Sequence, residues 1–382
     1  MIVANTADLH FRGKDLSAKA RQWEACLRIC AERGVELLTC AGDILDKSTI
    51  GDKAAPDGAV MDAFKRPLVE WLGDAWRGGD GPPREFLTIV GNHDKAGAYS
   101  MDSLTFLDGT GGVRVSREPE TRHYVRTRQA GLDELYVCTL PWDWAGGNPS
   151  QIVRDMRSSK LPRFYHVIHD GVPTLLLAHV QFHGGLMNDY RACDKTGEEC
   201  PPGDWHMDLD AILPLFTRVA GGDFHRHQPG FVGALAQNSH DETGNPAGFE
   251  IWNTATNEVE WIELDEAPRY FTVPVESPEE IDLVLAEPRK PNTIIRYQCA
   301  EGIMPTQEQL MRAEAARVDL DYYAPRLERM SRVDAEEAPP EIIDQPHRLI
   351  DLWASKQEPE MEPARIAAMH EEYDRSFAGV TT

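Results

Sequence analysis

The sequence predicts a layered α/β fold that carries its chemistry at the ends of its strands. Six short runs rich in β-branched and aliphatic residues each lead directly into polar ones: Ile2 to His10, Glu36 to Asp46, Glu85 to Asp94, Leu135 to Trp142, Thr174 to His183 and Arg218 to His227. Such runs read as buried strands. Helix-patterned stretches lie between several of them, as in Ser17 to Arg33, which gathers Trp23, Cys26, Leu27 and Cys30 on one face, and in Ala59 to Leu72. Strand and helix in alternation imply sheets covered by helices, with ligands held beyond the strand ends.

The 382 residues and 41% hydrophobic content suit one large globular unit followed by a smaller C-terminal part. No apolar run reaches the roughly 18 residues of a membrane span. The first residues carry neither a basic region nor a long apolar one, so they do not read as a signal peptide, and a cytoplasmic protein without membrane association is expected. The seven cysteines, Cys26, Cys30, Cys40, Cys138, Cys193, Cys200 and Cys299, are scattered and odd in number, which favours free thiols. Cys193 and Cys200 flank an acidic loop and could pair or hold metal, but no second Cys/His pair stands at zinc spacing. The net charge of −24 argues against tight, unaided binding of a nucleic-acid duplex, because phosphate affinity comes largely from Lys and Arg.

From Gly230 to Val275 the period becomes that of strands, with Gly248 to Trp252 and Glu258 to Leu264 separated by a hairpin-like Asn253-Thr254-Ala255-Thr256-Asn257, and this reads as the second sheet of the core. Pro274, Pro288 and Pro291 punctuate the chain beyond this hairpin, placing a boundary near residue 270. A core over 1–270 is therefore expected. Thr293 to Cys299 as a strand and Thr306 to Ala316 as a helix suggest a small α+β cap over 271–335. Glu336 to Pro340 reads as a linker, and Pro340 to Gln357 and Glu362 to Ser376 as two helices of a segment over 336–382.

The chemistry sits in five strand-end motifs. In Asp8-Leu9-His10 the two polar side chains are two residues apart and leave an extended backbone on the same side. In Gly42-Asp43-Ile44-Leu45-Asp46 the glycine permits a sharp turn, and Asp43 can bridge two ions with its two oxygens. Gly91-Asn92-His93-Asp94 offers a neutral amide oxygen from Asn92, while His93 can lie beside the ions and protonate a leaving oxygen. Asp94 can hold the His93 ring through its other nitrogen. His179 follows an apolar run, and Gly222-Asp223-Phe224-His225-Arg226-His227 closes the series.

Each motif has an ordinary reading as well: Asp43 and Asp46 as turn formers or helix caps, and His183 and His206 as surface residues. The conjunction of five ligand-rich strand ends is what departs from chance. Oxygen and nitrogen donors without thiolate suit manganese, with magnesium, iron or zinc also admissible. Two ions about 3.5–4 Å apart can clamp a phosphodiester.

The order Asp-x-His, Gly-Asp-x-x-Asp, Gly-Asn-His-Asp, His, Gly-x-x-His across residues 1–228 resembles the calcineurin-like metallophosphoesterase superfamily. The resemblance implies a two-sheet β-sandwich flanked by helices and a site of two divalent ions. Asp8, His10, Asp43 and His225 would hold the first ion; Asp43, Asn92, His179 and Asp223 would hold the second; His93 would be the catalytic histidine. Asp210 to Pro214, Gln228, Phe231 to Leu235 and Gly248 to Ile251 are similar to SbcD-type nucleases of DNA double-strand-break repair. That narrower resemblance implies manganese-dependent exonuclease or endonuclease action on DNA in repair or recombination. It also implies an SMC-like ATPase partner of the SbcC type bound by the terminal helices, with a homodimer open as well.

One position departs from the family, which has Gly-His-x-His where this chain has Asp223. Either Asp223 and His225 are the ligands, or the pair slides to His225 and His227; Gly222 before the motif and Gln228 after it favour the first. Two other functions compete with the nuclease. One is a small-molecule or nucleotide phosphodiesterase or phosphatase, which the acidic charge favours. The other is a scaffold subunit whose second ion site Asp223 has impaired.

Overall fold

The structure is a computed structural model that describes residues 1–46, 57–74, 83–95, 102–128, 131–142, 171–183, 186–188, 191–192, 206–265, 267, 269–286, 293–300, 303, 305–315, 319–321, 367 and 370. The chain divides into two compact units, Met1–Thr272 with Pro288–Ile295, and Val273–Glu287 with Arg296–Thr382.

The first half of the chain forms strands β1 (Ile2–Thr6), β2 (Leu37–Cys40), β3 (Glu85–Ile89), β4 (Val113–Ser116), β5 (Glu120–Arg128), β6 (Gly131–Leu140) and β7 (Thr174–His179). Helix α1 (Leu16–Glu32) joins β1 to β2, and α2 (Gly58–Asp74) lies between β2 and β3. Short strands follow as β8 (Gln181–His183), β9 (Leu186–Asn188), β10 (Arg191–Ala192) and β11 (His206–Asp208). The remainder forms β12 (Arg218–Gly222), β13 (Gly248–Asn253), β14 (Glu258–Glu263), β15 (Arg269–Val275), β16 (Thr293–Cys299) and β17 (Asp319–Asp321), with helices α3 (Pro278–Ala286) and α4 (Gln307–Ala315).

Two sheets make the core of the first unit. Among the described residues the first runs β14-β13-β1-β2-β3-β4 and the second β12-β7-β6-β5. Strands β1 to β4 are parallel, as are β6, β7 and β12. The apolar character of β1, β2, β3 and β7 on both faces follows from burial on both faces. Val3, Leu37, Leu87 and Trp252 of one sheet pack with Leu135, Val137, Leu175 and Leu177 of the other, so the sheets meet face to face. On the outer face of the first sheet, Ala4, Leu38 and Phe86 meet Trp23 of α1 and Phe64 of α2, and the Trp23 and Phe64 rings stack at 5.1 Å. The outer face of the second sheet is covered by Leu209, Ile212 and Phe216. The fold is therefore the expected two-sheet sandwich flanked by helical elements.

The hairpin placement is corrected. Gly248–Asn253 and Glu258–Glu263 pair as expected but extend the first sheet, β13 running antiparallel to β1 with Val3 opposite Trp252. The second sheet comes instead from earlier segments, including β5, whose charged sequence carries no strand-like apolar run. Alternation tells which residues face a core but not which sheet a strand joins.

In the second unit, β16 and β17 pair in parallel, Tyr297 Oη donates to the Val284 carbonyl, and Gln309 Nε2 donates to the Pro278 carbonyl. The expected strand over Thr293 to Cys299 and helix from Thr306 are present as β16 and α4. The linker and terminal helices expected beyond residue 336 lie outside the described residues except for positions 367 and 370, both helical, and Cys193 and Cys200 lie outside them too. Cys26, Cys30, Cys40, Cys138 and Cys299 are buried thiols. Among the described residues no helix is long and apolar enough to cross a membrane.

Candidate metal centre

The candidate ligands stand where β1, β2, β3, β7 and β12 end on one edge of the sandwich. Four of them sit in left-handed backbone just beyond a strand. Among the described residues the non-glycine positions with positive φ are Asp8 (51°), His10 (47°), Asp43 (54°), Asp223 (80°) and Asn257 (59°), and all but the hairpin residue Asn257 are candidate ligands. A left-handed conformation costs about 1–2 kcal/mol per L-residue. Burying one core side chain such as Leu135 contributes roughly 1.5–3 kcal/mol, so the sandwich readily offsets the strain held at its edge.

Main-chain bonds fix these loops to one another. The Asp8, His10 and Phe11 amides donate to the carbonyls of Gly42, Asp43 and Ile44 at 3.1, 2.9 and 2.8 Å. The Asp223 amide donates to Asp8 Oδ1 at 3.1 Å, and the His93 amide to Asp43 Oδ1 at 2.7 Å. Gly91 and Gly222 let the loops approach. A Cβ on Gly91 would overlap Asp43, and one on Gly222 would overlap the Ala41 carbonyl and stand 2.7 Å from His179 Nδ1.

The side chains converge in two groups, and His10, Asp46 and His93 form a third beside them. Asp8, His10 and His225 place donor atoms within 4.8 Å of one another, with the His10 and His225 Nε2 atoms 3.1 Å apart. Asp8, Asp43 and His179 form a second such group. His179 Nε2 lies 3.1 Å from Asn92 Oδ1, 3.5 Å from Asp43 Oδ2 and 3.9 Å from Asp223 Oδ1. Asp43 Oδ2 also lies 3.7 Å from His10 Nε2, so one oxygen faces both groups. The other oxygen, Oδ1, accepts the His93 amide.

Both outlying imidazoles are held by their far nitrogen. His179 Nδ1 is 2.6 Å from the Ala41 carbonyl oxygen, and His225 Nδ1 is 2.8 Å from Glu242 Oε1. Nδ1 is then the donor in each ring, which leaves the Nε2 lone pair directed into the cluster. Glu242 carried no sequence signal, standing in a single 3-10 turn, His240–Glu242, outside every motif.

The donor set fits divalent cations. Asp8 Oδ2 and Asp223 Oδ2 are buried without a hydrogen-bond partner, an expensive arrangement for carboxylate oxygens unless something positive faces them. Burial pushes the Asp8 carboxyl up to about 6, against the pull of His225 and His179. Burial alone would depress His179 and His225, but the carboxylates of Asp43, Asp8 and Asp223 raise the first to about 9, and those of Glu242, Asp8 and Asp43 raise the second to about 9. His10 goes the other way, pushed well down by burial and by His225 and His93. The cluster thus draws positive charge, supplied by protons where no cation is bound.

Three further residues separate clearly. His93 has a side chain 32% exposed and packs edge-on against His10 at 4.6 Å, beside the ligand groups and at their open side. Asp94 does not have the role expected of it. Its Oδ2 accepts the Asp43 and Gly91 amides at 2.9 Å each and its Oδ1 the Leu45 amide at 3.0 Å, so it braces the two loops from below. The carboxylate 3.9 Å from His93 Nδ1 is that of Asp46, whose other oxygen meets Arg12 at 3.3 Å. His227 turns away from the cluster: its Nδ1 faces the Val232 carbonyl at 3.2 Å and its ring stacks on Trp261 at 3.9 Å. Of the two registers, the structure brings Asp223 and His225 to the site.

No family model matches the chain, and no curated protein matches it. Among solved structures, it is similar to an archaeal phosphodiesterase at 8% identity over 69% of this chain and 100% of that one, with a TM-score of 0.30. It is also similar to GAP50, the anchor in the inner membrane complex of Plasmodium, at 12% identity over 70% and 90% with a TM-score of 0.38. A dimetal phosphatase from Danio rerio overlaps at 11% identity over 66% and 91%, with a TM-score of 0.36. Overlaps of this size transfer no residue roles. The chemistry of the cluster rests on its own donors.

Proposed function

We propose that this chain is a phosphodiesterase that works with two divalent ions, and that its substrate is DNA. The observation that carries the hydrolase reading is Asp43 Oδ2, which lies 3.7 Å from His10 Nε2 and 3.5 Å from His179 Nε2 and so faces both ligand groups at once. Asp8, His10, Asp43 and His225 would hold one ion, and Asp43, Asn92, His179 and Asp223 the other. Such a pair supplies Lewis-acid polarisation of a phosphoryl oxygen and a hydroxide available at neutral pH. His93, outside both groups and partly exposed, is placed to give a proton to the leaving oxygen or to stabilise charge on the phosphate. Manganese is the ion proposed, because oxygen donors outnumber nitrogen and no thiolate takes part.

DNA as substrate, and action within a repair or recombination complex, are supported by the motif order and the SbcD-like core sequence. The charge of −24 bears on how the duplex would be held. Arg12, Arg117, Arg122, Arg126 and Arg218 each already meet a carboxylate. The basic surface is proposed to come from a partner, an SMC-like ATPase docked on the segment from residue 336. The same charge favours a second reading, a small-molecule phosphodiesterase.

The test is hydrolysis by the purified full chain with manganese, on single- and double-stranded DNA and on a chromogenic phosphodiester. The nuclease reading expects DNA cleavage that Asp8→Ala and His93→Ala each abolish. Turnover of the small diester with intact DNA would select the second reading. Activity retained in both variants would overturn the hydrolase site.

A further inference from the structure

A buried lysine stands behind the ligands, and its contacts lead to them by two routes. Lys19 of α1 is 2% exposed, and its ammonium donates to the Leu9 carbonyl at 2.8 Å and to Asn238 Oδ1. Leu9 is the residue between Asp8 and His10, both in left-handed conformation. Asn238 leads the other way: its amide donates to Glu242 Oε2 at 2.9 Å, and Glu242 Oε1 meets His225 Nδ1 at 2.8 Å. The Asn238 carbonyl is itself fixed by Arg12 Nη2 at 2.7 Å. Asn238 and Glu242 are 8% and 6% exposed, so water does not substitute for these bonds.

A buried ammonium is costly, and an apolar side chain of similar volume is often as stabilising or more so. Packing alone therefore does not explain Lys19. What the network does specify is the direction of three side chains, because it holds the Asp8–His10 loop at one end and the His225 ring at the other.

We propose that Lys19, Asn238 and Glu242 are positioning residues that pre-set Asp8, His10 and His225 for one of the two cations and reach the Asn92–His179–Asp223 side only through Asp8. This rests on the two-ion reading. The second side has its own support, since His179 is held by the Ala41 carbonyl at 2.6 Å. Partners behind a metal-ligating histidine typically change metal affinity 10–100-fold when lost.

The experiment is manganese titration of the metal-stripped full chain by calorimetry and by the electron paramagnetic resonance of free manganese. Glu242→Ala is expected to weaken one ion about 10–100-fold and the other less than about threefold. Glu242→Gln, which keeps one acceptor oxygen and the side-chain shape, is expected to recover part of that loss and serves where Ala does not fold. Lys19→Met is expected to weaken the same ion. In an Asp223→Ala background, where the Asp8–His10–His225 side is the one left intact, Glu242→Ala should remove the remaining tight ion. In a His225→Ala background it should change nothing, a non-additivity that general destabilisation does not produce. Two ions bound by the wild type with equal losses at both, or with none, would overturn the positioning role alone. Fewer than two ions bound by the wild type would overturn the two-ion reading itself.

Discussion

The His179 Nδ1 atom lies 2.6 Å from the Ala41 carbonyl oxygen, tying the end of β7 to the end of β2 across the two sheets. That approach exists because residue 222 is glycine, whose absent Cβ would overlap the Ala41 oxygen and stand 2.7 Å from the same nitrogen. Gly222→Ala must push backbone or ring aside. Overpacking of this kind costs about 1–3 kcal/mol. Denaturant unfolding should show that loss, and manganese titration should show the His179 side weakened at least tenfold. An unchanged affinity would mean that His179 does not depend on this contact.

Asp94 tests whether the brace or the histidine partner is the correct role. Asp94→Asn replaces one carboxylate oxygen with an amide that cannot accept, so at least one of the Asp43, Gly91 and Leu45 amides loses its acceptor. Leaving a buried donor unpaired costs about 1–3 kcal/mol. The expected outcome is lower stability and weaker binding of both ions, because Asp43 faces both. A variant with intact metal binding and reduced turnover would return Asp94 to the His93 ring.

His93→Ala should separate chemistry from binding. The ring lies outside both ligand groups, so two ions per chain should remain, while turnover falls by the roughly 10²–10⁴-fold typical of a lost general acid. Ion counting beside steady-state rates on the chromogenic diester checks this. Loss of an ion together with activity would make His93 a ligand.

The metal-free protein should lose stability as pH rises from about 6.5 to 8. His179 and His225, raised to about 9 from 6.5, keep their protons in the folded state where the unfolded chain releases them, and Asp94, raised to about 7, acts in the same direction at the lower end. Folded-state stability contributed by a raised histidine is full below the unfolded value and drains away as pH climbs through the folded one. Each such group changes stability by up to about 1.4 kcal/mol per pH unit. Lys19, lowered to about 8 by burial, opposes the trend only above that pH. Urea midpoints in chelator should therefore fall across this window, and manganese should protect more at pH 8 than at 6.5, since it competes with protons for the same atoms. Midpoints that rise in chelator would contradict the raised histidines.

The sequence revealed the site better than its supports, for a physical reason. Strands β1, β2, β3, β7 and β12 are buried along most of their length, so their apolar runs stand out and their ligand-bearing ends follow directly. Strand β5, Glu-Thr-Arg-His-Tyr-Val-Arg-Thr-Arg, sits at a sheet edge with charges along it and leaves no such run. Glu242, Asn238 and Lys19 reach the ligands only through folding, Lys19 from a helix 206 residues before His225 in the chain (225 − 19). Asp94 was visible as a residue but not as a brace, because its partners are main-chain amides of Asp43, Leu45 and Gly91, which no side-chain pattern encodes.

Asp223 is the position at which the two registers make opposite predictions. Its Oδ1 lies 3.9 Å from His179 Nε2 and its Oδ2 is buried without a partner, whereas His227 stacks on Trp261 and faces the Val232 carbonyl. His227→Ala should then leave two ions and turnover within about twofold, because a partly exposed ring away from the cluster contributes packing at most. Asp223→Ala should lose the ion on the His179 side. Asp223→His exchanges a charged oxygen donor for a neutral nitrogen, which removes negative charge beside Asp43 and shifts preference from manganese or magnesium toward zinc. Competition titrations of manganese against zinc, read by metal analysis after desalting, measure that shift. An Asp223→Ala chain that still binds two ions while His227→Ala binds one would move the ligand pair to His225 and His227.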